Sequence, residues 1–250
     1  MLESILWDVD GTLAETELDG HLQAFNQAFE VLGLPWRWSE QYYGELLAVA
    51  GGRERLLHDM QLRNQAPRSP AERQALAQQL HRLKNSLYAD IVSRGDLPLR
   101  DGVRDLLDDC TRTGMRMGIV TTTSRPNVEA LMQTHFGKDW ESRFATVITA
   151  REAPDKKPHP QAYLLALDAL RLRPHQAVAM EDAPAGIAAA RAAGVAVIVT
   201  HSHYFPAPQF PGSLAEGPSL GRIEGWHPAA RTSATRIGLD QIRLWHAHSQ

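Results

Sequence analysis

The chain has 250 residues, of which 43% are hydrophobic and 22% charged, a composition typical of a globular protein with a sizeable core. A net charge of −3 gives no electrostatic case for a nucleic-acid partner, and no run of about eighteen apolar residues predicts a membrane span. The single cysteine, Cys110, excludes a disulfide framework and a cysteine-based zinc site. The N-terminus lacks a signal-peptide pattern, so we expect a soluble cytoplasmic protein, with a monomer favoured.

The first predicted element is a short buried strand over residues 3–7, where apolar residues precede a glycine turn. Apolar residues then recur at three- and four-residue steps over residues 17–32, which predicts an amphipathic helix that ends at Gly33. Residues 40–93 continue in helical patterns with little strand character. We therefore predict that residues 15–95 form an all-helical insertion after the first strand.

Helices and strands alternate strictly after the insertion. The predicted segments are helices at 103–113, 127–136, 160–170 and 185–193, and strands at 115–120, 145–149, 177–180 and 195–200. Because these strands are apolar throughout and are joined by helices, they predict a parallel sheet covered on both faces, which also contains the N-terminal strand. The predicted fold class is α/β, with a core formed by residues 1–14 and 96–250.

The last fifty residues of the chain have a different character. Residues 201–238 are rich in proline, glycine and serine, so we expect little regular structure there. The segment and its continuation contain two His-x-His pairs, which we interpret as surface histidines and not as metal sites. These pairs are His201 with His203 and His246 with His248.

Polar and charged residues follow several of the predicted strands. Since ligands of open parallel sheets bind at the carboxyl ends of the strands, we expect these residues to meet at one edge. They are Asp8, Asp10 and Thr12; Thr121 to Ser124; Asp155 to Pro160; and Glu181 with Asp182.

Asp8 and Asp10 stand two residues apart, so an extended chain directs both side chains to the same side. Two carboxylates in one site repel each other, and Glu181 and Asp182 add negative charge. Magnesium prefers carboxylate oxygens and completes its ligand set with waters and substrate phosphate. The four acids together predict a magnesium site, whereas Asp182 alone is equally well explained as a helix cap.

Lys157 lies beside this predicted acidic edge, and Pro158 restricts its backbone more than that of Lys156. A fixed lysine near acidic groups can neutralise both a phosphate and a nucleophile. Thr121 and the amides after it can donate hydrogen bonds to phosphate oxygens where the chain turns into a helix. A polar helix cap explains the same threonines.

These residues together predict phosphoryl transfer. A carboxylate is a workable nucleophile because it is already ionised at neutral pH, and it forms an aspartyl-phosphate. We assign Asp8 as the nucleophile and Asp10 as the group that protonates the leaving alkoxide and then activates water. Magnesium would bridge Asp8, Asp182 and the phosphoryl oxygens.

Four motifs in this order, "DVDGT", "TTTS", "KKPHP" and "EDAPAG", resemble the haloacid dehalogenase-like phosphatases. The resemblance implies a Rossmann-like core with a helical cap of the beta-phosphoglucomutase-like branch. "LAETELDGHLQAFNQAF" and "TTTSRPNVEAL" are most similar to CbbY-like sugar-phosphate phosphatases, some of which act on xylulose 1,5-bisphosphate. The implied function is magnesium-dependent hydrolysis of a small sugar (bis)phosphate.

The resemblance also implies roles for matching positions. The catalytic set is Asp8, Asp10, Thr121 and Lys157, and the metal set is Asp8, Asp10 through its backbone carbonyl, Glu181 and Asp182. The substrate-binding set is Glu15, His21, Gly51, Gly52, Arg53, Thr122, Thr123 and Arg125. Within it, residues 51–55 match the cap loop that holds the distal phosphate or sugar, and Arg53 is the expected charge contact.

Three positions depart from the family pattern. Ala183 stands where the family often has serine, and Gln161 where it usually has aspartate. His21 lies one residue farther from Asp10 than in the sugar mutases, which favours a phosphatase. A phosphosugar mutase, which shares the catalytic and metal residues, stays open as the alternative. A binding protein without turnover is disfavoured because the nucleophile and lysine are both intact.

Overall fold

The computed structural model describes residues 1–206, 210–232 and 234–247, and one of the predicted histidines, His248, lies outside them. Strands in these ranges are β1 (Ser4–Trp7), β2 (Arg116–Val120), β3 (Thr146–Ile148), β4 (Ala177–Glu181), β5 (Ala196–Thr200) and β6 (Ala215–Gly217). They form one parallel sheet in the order β3-β2-β1-β4-β5-β6. This topology confirms the predicted α/β class.

The central position of β1 explains its unbroken apolar sequence. Trp7 is in register with Ile119 of β2 on one side and Met180 of β4 on the other. Side chains alternate across the strand, so Ile5 and Trp7 enter the apolar cluster on one face while Leu6 enters the cluster on the opposite face. Both faces of β1 are therefore buried, as a parallel sheet between helices requires.

Helices occupy most of the chain between the strands. The described helices are α1 (Gln23–Val31), α2 (Glu40–Leu46), α3 (Gly52–Leu62), α4 (Pro70–Ser93), α5 (Val103–Thr113), α6 (Arg125–Phe136), α7 (Gln161–Leu170), α8 (Pro184–Ala192) and α9 (Leu239–Ala247). A π-helical turn, Glu17–Leu22, runs directly into α1, so the helix predicted over residues 17–32 is present and begins with a π-helical turn. No helix of the described residues is long and apolar enough to cross a membrane.

The helices between β1 and α5 bury a core of their own. Their aromatic residues pack edge-to-face and at tilted angles, with Phe29 and Trp38 5.1 Å apart between ring centroids. The longest helix, α4, starts with a capping box at Ser69 followed by Pro70. This helical segment matches the predicted insertion in its secondary structure, while its division from the sheet at residues 15 and 95 stays a prediction.

The C-terminal segment is more ordered than its composition predicts. The expectation of little regular structure over residues 201–238 misses β6, whose Gly217 pairs with Thr200 of β5. The sequence "AEG" carries no strand signal, because this short strand is stabilised by a neighbour distant in sequence. Gly217 also lies under Trp226, where a Cβ atom would come within 2.3 Å of the indole. Tertiary packing therefore decides this strand.

Candidate active site

Four of the predicted residues meet at the carboxyl edge of the sheet. Asp8 directly follows β1, and its backbone N–H donates to Met180 O at 3.0 Å, which extends the strand pairing by one residue. Thr121 follows β2, Glu181 ends β4, and Asp182 follows it. All four are buried, so the apolar strands bring these polar groups to the edge of the core.

Lys157 lies at the centre of this edge. Its Nζ donates to Asp8 Oδ1 at 2.6 Å, Glu181 Oε1 at 2.7 Å and the Val120 carbonyl at 2.8 Å. These three acceptors match the three donors of an ammonium group. Burial acts to lower the pKa of Lys157, but Asp8 and Glu181 outweigh it and raise that pKa above its ordinary value. Lys157 therefore remains protonated.

The carboxylates of this edge form a buried cluster. Asp8, Glu181 and Asp182 each offer a ligand oxygen, and these atoms lie within 4.8 Å of one another. Burial raises the pKa of Asp8 to about 8, with Lys157 opposing and Glu181 and Asp10 adding to the rise. Burial and Asp8 likewise raise the pKa of Asp182 well above its ordinary value. Because one lysine faces three carboxylates, this all-oxygen donor set fits a divalent cation.

Two glycines make room for the acids. Gly11 has φ +81°, and a Cβ there would lie 2.1 Å from Asp182 Oδ2. A Cβ on Gly186 of α8 would lie 1.9 Å from Glu181 Oε2. Any larger residue at either position would displace a cluster carboxylate.

Two further side chains hold the acids, and the sequence interpretation missed both. Ser202 Oγ donates to Asp182 Oδ2 at 2.6 Å, and Tyr163 of α7 donates to Glu181. Ser202 follows β5, so the rule that selected the other strand ends would have found it. Ala183 stands where the family often has a serine. In this chain a serine hydroxyl reaches Asp182 from Ser202, which follows the neighbouring strand β5. Tyr163 lies among the apolar residues of a predicted helix, so no sequence pattern marks it as part of the site.

Asp10 turns away from the cluster toward the helical segment. Its Oδ1 accepts hydrogen bonds from Thr16 Oγ1 at 2.5 Å and His21 Nε2 at 3.0 Å. The side-chain arrangement expected for Asp8 and Asp10 in one cation site is therefore wrong. β1 ends at Trp7, and the turn that follows it sends the two side chains to different partners. Metal ligation by the Asp10 carbonyl stays a prediction.

Lys84 of α4 completes a polar chain that leads to Asp10. Its Nζ lies 2.9 Å from His21 Nδ1, and an ammonium can only donate, so His21 Nδ1 accepts and Nε2 donates to Asp10. Burial acts to raise the pKa of Asp10, but His21, Thr16 and Lys84 outweigh it and hold that pKa well below its usual range. In this arrangement Asp10 is ionised.

The π-helical turn explains how His21 reaches Asp10. A π-turn closes a wider ring than an α-turn and so accommodates an additional residue within one turn. His21 lies in this turn, at Glu17–Leu22, and contacts Asp10 despite its additional spacing in the sequence. The spacing of His21 therefore does not discriminate a phosphatase from a mutase.

Two adjoining cavities open above the carboxyl edge. One, of about 560 Å³, is lined by the acid cluster and Lys157, and the other, of about 450 Å³, lies between the loop after β2 and helices α3 and α4. Asp10, Gly51 and Thr122 line both. Of the predicted substrate-binding residues, the cavities bring together His21, Gly51, Gly52, Arg53, Thr122 and Thr123.

Glu15 and Arg125 are not brought into these cavities. Glu15 Oε1 pairs with Arg100 Nε at 3.1 Å, and its Oε2 accepts from the His203 amide at 3.2 Å. Arg125 pairs with Glu129 at 3.0 Å and with Glu141 at 2.5 Å. Both side chains enter internal ion pairs, which depend on partners that the motifs do not reveal, and their substrate-binding roles stay predictions.

Residues outside the predicted set also line the smaller cavity. Arg55 is buried, and its Nη1 donates to Tyr43 Oη at 2.7 Å. Lys156, His81 and Asn127 also reach this cavity. The predicted cap loop, residues 51–55, contains Arg55, whereas no sequence pattern marks the cavity residues of α4 and α6, because their positions depend on packing.

The parallel sheet, the buried lysine and the carboxylate cluster define an α/β protein with a site suited to phosphoryl transfer. The profile of the haloacid dehalogenase-like hydrolases matches residues 2–194. The chain belongs to this family of hydrolases.

Individual relatives agree with this assignment. Protein CbbY, plasmid, of Cupriavidus necator is 38% identical over 98% of this chain and 97% of that protein. A mutant of CbbY from Rhodobacter sphaeroides, crystallised with xylulose-(1,5)bisphosphate, is 35% identical with a TM-score of 0.83 over 96% of this chain and 99% of that one. Beta-phosphoglucomutase of Clostridium difficile is 18% identical, with a TM-score of 0.75 over 100% of this chain and 99% of that one, and this likeness shows the fold alone.

Proposed function

We propose that this chain is a magnesium-dependent phosphatase that hydrolyses a small sugar bisphosphate, with xylulose 1,5-bisphosphate as the first substrate to test. The observation that carries the proposal is the 2.6 Å contact between Lys157 Nζ and Asp8 Oδ1 within a buried acid cluster. The bisphosphate found with the Rhodobacter sphaeroides relative supports the substrate class.

Asp8 is the proposed nucleophile. Its carboxylate oxygen bonds to phosphorus as the bond between phosphorus and the sugar oxygen breaks, which leaves an aspartyl-phosphate. Lys157 keeps Asp8 oriented and favours its ionised form, since the ammonium opposes the other acids. Thr121 Oγ1 already accepts from the Thr123 amide, so its own hydrogen is available to a phosphoryl oxygen.

Asp10 is the proposed proton carrier. The approach of a phosphate dianion raises the pKa of a nearby carboxyl, so Asp10 can gain a proton when substrate binds. It gives that proton to the leaving sugar oxygen and then accepts one from the water that attacks the aspartyl-phosphate. This second step releases inorganic phosphate and restores the Asp8 carboxylate.

Asp8, Asp182 and the carbonyl of Asp10, with Glu181 beside them, would hold magnesium, which offsets charge on the phosphoryl oxygens when bound. The contacts of Glu181 with Lys157 and Tyr163 support a second task, which is to position the lysine. Ser202 and Thr12 orient Asp182, with Thr12 Oγ1 3.4 Å from its Oδ1.

The helical segment, residues 15–95, is proposed to act as a cap that selects the substrate. Its residues 51–53 line the smaller cavity opposite Thr122 and Thr123, and Arg53 is proposed to contact the distal phosphate. Closure about hinges near residues 14–17 and 94–98 would exclude bulk water. A monomeric state and a cytoplasmic location stay predictions.

A phosphosugar mutase is the second candidate. The contact between His21 and Asp10 keeps it open, because the additional spacing in the sequence does not prevent the contact. The two functions differ only in whether water or a second sugar hydroxyl accepts the phosphoryl group.

A panel of sugar phosphates that includes xylulose and ribulose 1,5-bisphosphates tests the proposal, with and without magnesium. We expect release of free phosphate that depends on magnesium. Conversion of a sugar 1-phosphate to its 6-phosphate with little free phosphate would instead establish the mutase.

A further inference from the structure

Lys156, the neighbour of the catalytic lysine, faces the smaller cavity and not the acid cluster. Its Nζ lies 2.5 Å from Glu54 Oε2, which belongs to the first turn of α3. Glu54 Oε1 lies 3.4 Å from Arg53 Nη2. One carboxylate of the helical segment therefore stands between two cations, and the nearer of the two comes from the loop that also carries Lys157.

The backbone at Gly51 is shaped around this ion pair. Gly51 has φ +95°, and a Cβ there would lie 2.1 Å from Lys156 Nζ and 2.4 Å from Glu54 Oε2. Only glycine leaves space for the pair and adopts this conformation without strain. The pair lies in the cavity wall, where its side chains are partly exposed, 20% for Lys156 and 35% for Glu54.

The surroundings of the pair favour a further anion. Arg53 and Arg82 also line the cavity, and the side chain of Arg53 is 52% exposed. Burial lowers the pKa of His81 to about 4, with Lys84, Lys156 and Arg53 contributing and Glu54 opposing, so this histidine is neutral.

Two hydrogen-bonding atoms without a partner belong to residues that line the same cavity. Ser124 Oγ and Asn127 Oδ1 are buried without a partner, and both residues line the cavity at the start of α6. A hydroxyl can donate to an anion, and the amide oxygen can accept from a sugar hydroxyl. A ligand that carries both groups could pair with them after a small movement of these side chains.

We propose that Lys156 is a specificity-determining residue that binds the second phosphate of a bisphosphate, and that Glu54 occupies this place until the substrate arrives. The inference rests on the proposed function and deepens it. A phosphate dianion between Lys156 and Arg53 is a stronger acceptor than one carboxylate, so it displaces Glu54. A monophosphate leaves the Lys156–Glu54 pair intact and gains nothing from it.

The test compares Lys156→Gln and Glu54→Gln on xylulose 1,5-bisphosphate and on p-nitrophenyl phosphate. We expect Lys156→Gln to raise KM for the bisphosphate about tenfold or more, with kcat/KM for the aryl phosphate changed less than about threefold. Glu54→Gln removes the competing carboxylate and should lower KM for the bisphosphate. Lys156→Arg is the matched control and should retain most of the affinity.

The decisive result is that KM for the bisphosphate rises in Lys156→Gln and falls in Glu54→Gln. A pair that only holds α3 against the loop would make both variants lose function on both substrates, and that result would overturn the proposal. Calorimetric binding of the bisphosphate, repeated for each variant in an Asp8→Asn background, gives the same comparison without turnover. Failure of the wild-type protein to hydrolyse any phosphate ester would refute the proposed function alone.

Discussion

Asp8 and Asp10 are the same residue type, two positions apart, in opposite electrostatic environments. Burial raises the pKa of Asp8 to about 8, and Glu181 and Asp10 add to the rise. At Asp10, burial also acts to raise the pKa, but His21 and Thr16 outweigh it and lower that pKa. These directions are the reverse of those that a nucleophile and a proton donor need, so the assignment requires a bound cation that lowers the pKa of Asp8 and a substrate phosphate that raises the pKa of Asp10.

Asp8→Asn is expected to lower turnover about a thousandfold or more, because a neutral amide is a much weaker nucleophile than a carboxylate and does not form the acyl-phosphate. The melting temperature should be unchanged or higher, since Asn keeps an acceptor for Lys157 and removes one of three repelling charges. Phosphate release and thermal melting measure the two effects. Asp90→Asn, at an exposed position of α4, is the control. Turnover that survives Asp8→Asn would place the nucleophile elsewhere.

Lys84 provides a pH dependence of stability. Burial lowers its pKa from 10.5 to about 8, with Asp10 and Glu17 opposing. Between these values the unfolded chain binds more protons than the folded one, so this group makes stability rise with pH. The free energy of unfolding of the wild type relative to Lys84→Met should therefore increase between about pH 6.5 and about pH 9.5, by up to about 2 kcal/mol.

Denaturant unfolding of both proteins at the two pH values measures this difference. The subtraction removes the contributions of groups that titrate alike in both proteins. A difference that stays constant or decreases with pH would show that Lys84 is not desolvated in the folded state.

Among the elements, the segment after β5 joins the acid cluster to the helical segment. Ser202 holds Asp182, and His203 Nε2 pairs with Glu40 of α2 at 2.7 Å. The Tyr204 ring packs edge-on against Tyr43, with ring centroids 5.8 Å apart, and lies over Gly44. Three consecutive side chains thus connect a candidate metal ligand to α2, which makes this segment the natural contact between sheet and cap.

Tyr204→Ala should loosen α2, because it removes the aromatic ring that packs on Tyr43 and Gly44. We expect amide hydrogen exchange in Glu40–Leu46 to become about tenfold faster. The Tyr204 hydroxyl is buried without a partner, so Tyr204→Phe keeps the packing and should leave exchange unchanged. Equal exchange in wild type and Tyr204→Ala would mean that this contact does not hold α2.

At the scale of the whole molecule, the acid cluster couples cation binding to folding. Asp8, Glu181 and Asp182 come from two distant parts of the chain and meet only in the folded protein. A divalent cation that binds this set therefore stabilises the native state alone. Without the cation, the three carboxylates repel one another.

Magnesium at about a hundredfold excess over its Kd should raise the melting temperature by about 5 °C or more. Calorimetry with magnesium and with a chelator measures the shift. In Asp182→Asn one ligand is lost, so the shift should shrink and the chelated variant should melt no lower than the chelated wild type. An identical magnesium shift in both proteins would place the cation at another site.

The carboxyl edge could be predicted because it follows from local pattern alone. Apolar runs joined by helices specify a parallel sheet, and a parallel sheet brings the residues after its strands, such as Asp8, Thr121 and Asp182, to one edge. The same rule extended to β5 reaches Ser202. Substrate-facing residues were predicted less well, since Glu15 and Arg125 enter ion pairs with residues that no motif connects to them.

The sequence by itself determined the class of fold and the groups proposed for the reacting centre, because the hydrophobic periodicity places these groups directly after buried parallel strands. Only the tertiary structure decided how Asp10 is paired and what faces the distal end of a substrate. Lys84 and His21 are 63 positions apart, and Lys156 and Glu54 are 102 apart. Contacts at such separations depend on how helices pack against the sheet edge. This packing produces no periodic pattern in the sequence of either segment.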